Sequence, residues 1–137
     1  MQKDKARSFV TMMVAVALCA FVLRVAADRF IKFNIAQNES AALNTLKLIS
    51  AALENYAEDN RGVYPTNLAL LTQPKPPYLD RDATKQSPLK GYNYGCLRLE
   101  PSGYSCYAMP VKCRLTGKIS FSVTTGNILA QEACDKK

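Results

Sequence analysis

Hydrophobic residues dominate one continuous run near the start of the chain. The run extends over 19 residues, from Phe9 to Ala27, and contains a single charge, Arg24, close to its far end. As a helix rising about 1.5 Å per residue, it is roughly 28 Å long, which is close to the thickness of a bilayer's hydrocarbon core. Arg24 is near enough to the edge for its long side chain to reach the headgroups. The pattern predicts a single membrane span at 9–27, preceded by a basic tip at 1–8.

The helical pattern continues beyond this run. Residues 28–60 contain neither Gly nor Pro, the two residues that most disfavour a helix interior. Apolar side chains recur there at steps of three and four, which indicates one face directed at a core. Gly62, a candidate left-handed cap, and Pro65 predict the end of the helix. The apolar stripe comprises Leu43, Leu46, Ile49, Leu53 and Tyr56, and the face predicted to be exposed to water comprises Asn44, Lys47, Glu54 and Asn55.

A period of two replaces the helical period in the last third of the chain. Gly91–Leu99 and Gly103–Met109 are predicted strands, joined by Glu100-Pro101-Ser102 in a hairpin. Apolar and polar residues alternate strictly over 119–124, and a short last strand begins at Ile128. We therefore expect an α+β fold in which the long helix packs on an antiparallel sheet of three or four strands. The predicted soluble domain covers residues 28–137, with a helix at 28–60, a loop at 61–90 and a sheet region at 91–137. Within the loop, residues 66–71 are expected to form a short helix with Thr66 as its N-cap.

Charge suggests how the chain is oriented. The net charge is +7, of which residues 1–27 contribute +3, from four Lys or Arg and one Asp. Lys3, Lys5 and Arg7 precede the apolar run, so the positive-inside rule places the N-terminus in the cytoplasm. We expect a single-pass protein of the cytoplasmic (inner) membrane whose C-terminal domain is periplasmic or extracellular.

A cleaved signal peptide is the main alternative to a membrane anchor. Val25-Ala26-Ala27 would serve as a small-residue cleavage site, although the apolar run is long for a signal peptide. A lipoprotein signal ending at Cys19 fits less well, because Leu18 before it is bulky and Cys19 lies in the middle of the run. We expect an anchor that is either uncleaved or trimmed at its N-terminus.

Two stretches resemble the type IV pilin and type II secretion pseudopilin superfamily. The first, AALNTLKLISAALENYAEDNRGVYP, is similar to the family's apolar helix with Leu-Glu-x-Tyr, a helix-ending Asp-Asn and Gly-x-Tyr-Pro. The second comprises GYSCYAMP and GKISFSVTTGNIL, which resemble the pilin ending of Gly-Tyr-x-x-x-Ala-x-Pro, a Phe-containing strand and a Thr-Gly turn. The distance from Phe9 to Asn60 is also close to the length of the family's long helix. Together these matches cover most of the chain.

The chain departs from the family where the leader is processed. Members usually carry Gly before the mature N-terminal Phe, and a glutamate shortly after it, whereas this chain has Ser8 before Phe9 and Met13 at the glutamate's position. In the family that glutamate is thought to pair with a neighbouring subunit's amino terminus. The resemblance therefore makes Ser8–Phe9 the candidate processing junction and implies a minor or divergent member.

The resemblance implies a structural role without catalysis. We expect a pilin-like or pseudopilin subunit of a type IV pilus, of a type II secretion-type filament, or of its initiating complex. Its partners would be the membrane, other pilin-like subunits bound through the N-terminal helix, a prepilin peptidase and an assembly platform. Two alternatives stay open: a membrane-anchored or secreted binding module that forms no filament, and a DNA-uptake pilin.

The four cysteines of the predicted outer domain allow three pairings. If Pro101 lies at the centre of the hairpin, Cys96 and Cys106 face each other across its two strands. Cys113 is then left to pair with Cys134, much as pilins commonly staple their C-terminal region. We expect the disulfides Cys96–Cys106 and Cys113–Cys134, since the gaps are too wide for a zinc signature.

Other chemistry finds little support. The chain has no His, so a cysteine nucleophile has no base of that kind, and no catalytic residue, metal or cofactor is expected. Asp80 and Asp82 lack the Gly or Asn spacing of a calcium loop. Nucleic acid is not an expected partner, because the charge surplus of residues 28–137 is only +4. A DNA-uptake role would rest on basic residues near two tyrosines: Lys112, Arg114, Lys118, Lys136 and Lys137, with Tyr104 and Tyr107.

Overall fold

The structure is a computed structural model that describes the backbone of residues 2–135 and the side chains of residues 8–135. The chain forms two compact units, Met1–Asn34 and Ile35–Lys137. The first unit is helical throughout its described part. The second is α+β and contains the end of the same helix, a connecting segment and a four-stranded sheet.

Helix α1 runs from Gln2 to Asp59 without interruption, as expected for a stretch without Gly or Pro. Its end is closed by backbone hydrogen bonds from Asn60 N to Tyr56 O (3.0 Å) and from Gly62 N to Ala57 O (2.7 Å). Arg61 and Gly62 both have positive φ, at 60° and 81°. Gly62 adopts this conformation without a steric penalty, so the predicted left-handed end of the helix is confirmed.

The connecting segment contains one short helix, α2, at Ala69–Thr72. It begins later than the helix expected near 66–71, because Asn67 and not an earlier residue captures the first free amide. The Asn67 side chain accepts a hydrogen bond from Ala69 N at 2.9 Å, in the manner of an Asx turn. The segment returns to α2 through hydrogen bonds from Tyr78 N and Leu79 N to Leu71 O.

The sheet is an antiparallel meander. Its strands are β1 (Tyr92–Glu100), β2 (Gly103–Pro110), β3 (Ile119–Thr124) and β4 (Ile128–Ala133), and their spatial order is β1-β2-β3-β4. Glu100 pairs with Gly103 at the predicted hairpin turn. Each strand pairs with the next one along the chain, so the expected antiparallel sheet is confirmed with four strands.

The core of the second unit lies between α1 and the inner face of the sheet. Leu46, Ile49 and Leu53 from the predicted apolar stripe are fully buried, while Leu43 and Tyr56 at its margins are partly buried. The sheet contributes every second residue, as a strand with one buried face should. These inward residues include Tyr92, Tyr94, Tyr104, Cys106, Ala108, Phe121 and Val123, and the connecting segment adds Leu68, Leu71 and Ala83. Burial of this helix–sheet interface organises the unit.

Candidate functional site

The first unit presents an apolar helical surface that nothing in the described chain covers. A stretch of 18 residues has mean hydropathy 2.4, and none of it is buried. Soluble monomers rarely leave so large an apolar surface in water. By length and composition α1 therefore contains one candidate membrane span, the only one in the described residues. The exposed large hydrophobic side chains are Phe9, Val10, Met12, Met13, Val14, Val16, Leu18, Phe21, Val22, Leu23, Val25, Phe30, Ile31 and Phe33.

The candidate processing junction lies on this helix. Ser8 and Phe9 are both exposed, and Phe9 exposes 64% of its surface. Met13, at the position of the family's glutamate, is also exposed and presents only an apolar side chain. The predicted tip at 1–8 falls largely on residues whose side chains lie outside the described part of the chain. Chemically, this surface can bind lipid or other apolar helices, but it offers no ion pair at position 13.

Two disulfides staple the sheet. Cys96 and Cys106, which are paired across β1 and β2, are joined, and Cys113 before β3 is joined to Cys134 after β4. These are the pairings expected from the sequence. Around the second disulfide, Cys134 N donates to Lys118 O at 2.9 Å. Cys19 on the exposed helix is the free cysteine of the described chain.

A polar cluster around Glu54 was not foreseen from the sequence, which suggested that this side chain faces water. Its carboxylate instead accepts hydrogen bonds from the hydroxyls of Tyr64 and Tyr104, each at 2.8 Å. It also accepts one from Gly126 N, at 2.8 Å, in the turn between β3 and β4. We refer to Glu54, Ser50, Tyr64, Tyr104 and Asn127 as the Glu54 cluster. The signal that could have found it is Glu54's position four residues after Ser50, on the edge of the apolar stripe.

Ser50 extends the Glu54 cluster into the core. Its hydroxyl is fully buried and lies 2.8 Å from the Tyr104 hydroxyl and 2.7 Å from Oδ1 of Asn127. A buried hydroxyl without a partner would destabilise the fold, and among the described residues no buried side-chain nitrogen or oxygen lacks a hydrogen-bond partner. The cluster ties α1 to β2 and to the β3–β4 turn.

The Glu54 cluster changes the acidity of its members. Burial raises the pKa of Glu54, but hydrogen bonds from Tyr104, Tyr64 and the Gly126 amide outweigh it, so that the pKa is lowered overall. Burial, with the Glu54 carboxylate as a further cause, raises the pKa of Tyr104 to about 12. Burial and the same carboxylate also raise the pKa of Tyr64. At neutral pH the cluster is therefore a carboxylate held by two protonated tyrosines.

Of the two aspartates considered for calcium, Asp82 forms a local turn. Oδ1 of Asp82 accepts hydrogen bonds from Thr84 N at 2.9 Å and from the Thr84 hydroxyl at 2.5 Å. Asp80 is exposed. Within the described residues no group of three or more His, Cys, Asp or Glu side chains is placed to hold a metal ion.

The residues considered for DNA binding differ in their exposure and contacts. Tyr104 is fully buried, so its ring cannot stack on a base. Arg114 is engaged with Asp135 at 2.5 Å, whereas Lys112 and Lys118 are exposed. Tyr107 is half-buried, and Lys136 and Lys137 lie outside the described residues.

The first unit thus offers an exposed apolar helix, and the second offers a stapled sheet with a hydrogen-bonded polar cluster. The sequence matches no protein-family model and has no significant match among curated proteins. The exposed part of the helix is the clearest candidate binding surface, because so many apolar side chains need lipid or protein around them.

Proposed function

We propose that this protein is a pilin-like structural subunit, a minor or divergent one, of a type IV pilus, a type II secretion-type filament or its initiating complex. The observation that carries the proposal is the 58-residue helix α1, which is apolar and exposed from Phe9 to Leu23 and packs on an antiparallel sheet at its end. Such a helix can anchor the subunit in a bilayer and then exchange lipid for neighbouring helices in an assembly.

The subunit is anchored in the cytoplasmic membrane, with its N-terminus in the cytoplasm and its second unit outside. We call this second unit, Ile35–Lys137, the sheet unit. Two features support this placement. Lys3, Lys5 and Arg7 precede the apolar run, and the sheet unit carries two disulfides, which persist in oxidising compartments such as the periplasm.

Met13 supports an initiating or tip position for the subunit within an assembly. A carboxylate at that depth is costly in lipid and is retained where it has a partner. Because Met13 has no charge, it requires no partner of opposite charge, and the subunit is suited to an initiating or tip position in which it joins no earlier subunit.

A non-filament binding module is the second candidate function. Ser8 and Met13 both favour it, since they replace the residues that the resemblance connects with leader cleavage and subunit pairing. In that case the apolar helix is a permanent anchor and the sheet unit alone contacts a partner. A DNA-uptake role is weaker, because buried Tyr104 offers no stacking surface.

Mass spectrometry of the N-terminus, on protein extracted from native membranes, separates these functions. A chain that begins at Phe9 would support the filament proposal, and Ser8→Gly should then be processed at least as completely as the wild type. A chain that begins at Asp28 would indicate ordinary secretion and overturn the proposal. An intact chain would support the anchored binding module instead.

Oxidative cross-linking at Cys19 tests the helix–helix contact. Cys19 is exposed at the middle of the apolar run, so helices packed along this surface can form a Cys19–Cys19 disulfide. We expect a cross-linked dimer in membranes from cells with the intact assembly machinery, and its loss in Cys19→Ser. A wild type that stays monomeric under these conditions while its chain begins at Phe9 would argue against packing through this part of the helix.

A further inference from the structure

Two large aromatic side chains lie on the first unit beyond the apolar run. Phe30 and Phe33 expose 66% and 60% of their surfaces. They follow the predicted span, which ends at Ala27, and they belong to the same continuous helix. Nothing in the described chain covers them, so a membrane span at 9–27 leaves two phenylalanines unexplained.

Basic residues flank these phenylalanines. Between Arg24 and Lys32 the exposed charged residues are Arg24, Asp28, Arg29 and Lys32, which leave a net charge of +2. At about 100° per residue, the four charged residues project within an arc of roughly 140°, whereas Phe30 projects opposite the middle of this arc and Phe33 lies about 40° beyond its edge at Arg29. We call Arg24–Phe33 the juxtamembrane segment. Its charged residues share one side of the helix, whereas the run from Phe9 to Leu23 before it contains no charged residue.

The depth of this segment matches a particular layer of the bilayer. Phe30 and Phe33 come about 4.5 and 9 Å after Ala27 along the helix axis. The interfacial layer occupies roughly the first 5–7 Å beyond the hydrocarbon core on each side, which includes Phe30, and a helix tilt of about 40° brings Phe33 to its outer edge. Amphipathic helices bury apolar side chains within about 5–10 Å of this boundary, and Arg and Lys extend their charged ends toward the headgroups.

We propose that the juxtamembrane segment is a lipid-binding site for anionic headgroups. Its basic residues contact the headgroup phosphates, and Phe30 and Phe33 pack among the headgroups, above the acyl chains. A second copy of the chain is the less suitable occupant, because two such segments bring like charges together. The inference rests on the membrane placement given under the proposed function and adds an orientation for the membrane-resident subunit: the segment fixes the depth and rotation of the helix before assembly.

The absence of tryptophan allows a direct test with single-tryptophan variants of the full chain in vesicles of mixed anionic and zwitterionic lipid. Phe33→Trp reports the juxtamembrane segment and Val16→Trp reports the middle of the run. Leu97→Trp, at a position 80% exposed on the sheet unit, is the matched reference in water. Lipids brominated near the headgroup or deep in the chain quench tryptophan at those depths, and a soluble quencher reports access to water.

The expected pattern assigns each probe to one layer. Phe33→Trp should be quenched best by the shallow bromines and show a blue-shifted emission, whereas Val16→Trp should respond to the deep bromines and Leu97→Trp only to the soluble quencher. If Val16→Trp responds as expected and Phe33→Trp is as accessible to water as Leu97→Trp, the inference is overturned and the span remains. If Val16→Trp itself escapes quenching, the membrane placement fails, and with it the proposed function.

Charge and self-association provide the second part of the test. Each basic residue near an anionic surface changes the ratio of docked to undocked helix by about fivefold. Adding Arg29→Gln and Lys32→Gln to Phe33→Trp should therefore lower that ratio by about 25-fold, and pure zwitterionic vesicles should show the same loss in the unsubstituted segment. Shielding of Phe33→Trp that arises only at high protein-to-lipid ratio, without quenching by lipid bromine, would show that a second copy covers the segment and would overturn the proposal.

Discussion

The carboxylate of Glu54 connects three parts of the sheet unit that are distant in sequence. It receives hydrogen bonds from Tyr64, Tyr104 and the Gly126 amide, which come from the loop after α1, from β2 and from the β3–β4 turn. Hydrogen bonds to a charged group contribute more than neutral ones. At the scale of single residues, Glu54 is therefore the polar group that we expect to contribute most to the stability of this unit.

Glu54→Gln should destabilise the full-length protein in detergent by about 1–3 kcal/mol at pH 7, since the variant accepts only neutral hydrogen bonds. The pKa of Glu54 is lowered from the ordinary glutamate value, about 4.3. Its contribution is therefore complete above that value and is lost as the pH falls through the lowered pKa of the folded state. Chemical denaturation followed across acid pH should show the wild type and the variant converging. Glu58→Gln, on an exposed site of the same helix, is the control, and an equal loss in both variants would refute the role of the cluster.

Gly117→Ala tests a second residue-scale contact. A Cβ atom at Gly117 would lie 2.6 Å from Cζ of Tyr92, a fully buried ring whose hydroxyl donates to Ile119 O at 2.8 Å. Relief of this overlap must displace a core side chain, so we expect a loss of about 1–3 kcal/mol of stability. Thermal denaturation should show a lower midpoint than for Leu115→Ala, an exposed change in the same loop. Equal midpoints would mean that the ring moves aside without penalty.

At the scale of elements, α1 was the most predictable part, because its period of three and four identifies Leu46, Ile49 and Leu53 as core residues. The strands were predictable for the same reason: Phe121 and Val123 alternate with serines, and one face is buried. However, periodicity does not identify the hydrogen-bond partners of a side chain. It placed Glu54 on the face predicted to be exposed to water, because only the fold brings Tyr64 and Tyr104 to this carboxylate. It also missed the start of α2, which depends on whether Asn67 or its neighbour captures an amide.

The disulfide Cys113–Cys134 is an element-scale prediction of its own. It closes a loop with a sequence separation of 21, and a loop of that length stabilises a fold by about 3 kcal/mol through the unfolded chain. Cys113→Ser with Cys134→Ser should lose about this amount in chemical denaturation without reductant, and proteolysis should reach β4 first. Cys19→Ser, which breaks no bond, is the control. A double variant as stable as that control would show that the staple contributes nothing.

At the scale of the whole molecule, the exposed helix is a candidate membrane span. Val16 lies at the middle of the apolar run and is exposed. An arginine at the centre of a span opposes insertion by about 2.5–3.5 kcal/mol. Val16→Arg should therefore release much of the protein from membranes at alkaline pH, whereas Leu48→Arg, on an exposed site of the sheet unit, should leave it in the pellet. Identical pelleting of both variants would contradict a span at this run.

The irregularity in β1 has a consequence for proteins that share a membrane. The register of β1 against β2 shifts between Cys96 and Arg98, so that Leu97 is left out of the ladder on an edge strand. Copies tethered to one surface meet in two dimensions, at a far higher effective concentration than free molecules. A regular sheet edge is then a template for runaway aggregation, and a bulge beside an arginine blunts it. For the membrane-anchored subunit proposed above, the irregular β1 edge therefore disfavours sheet pairing between neighbouring copies through that strand.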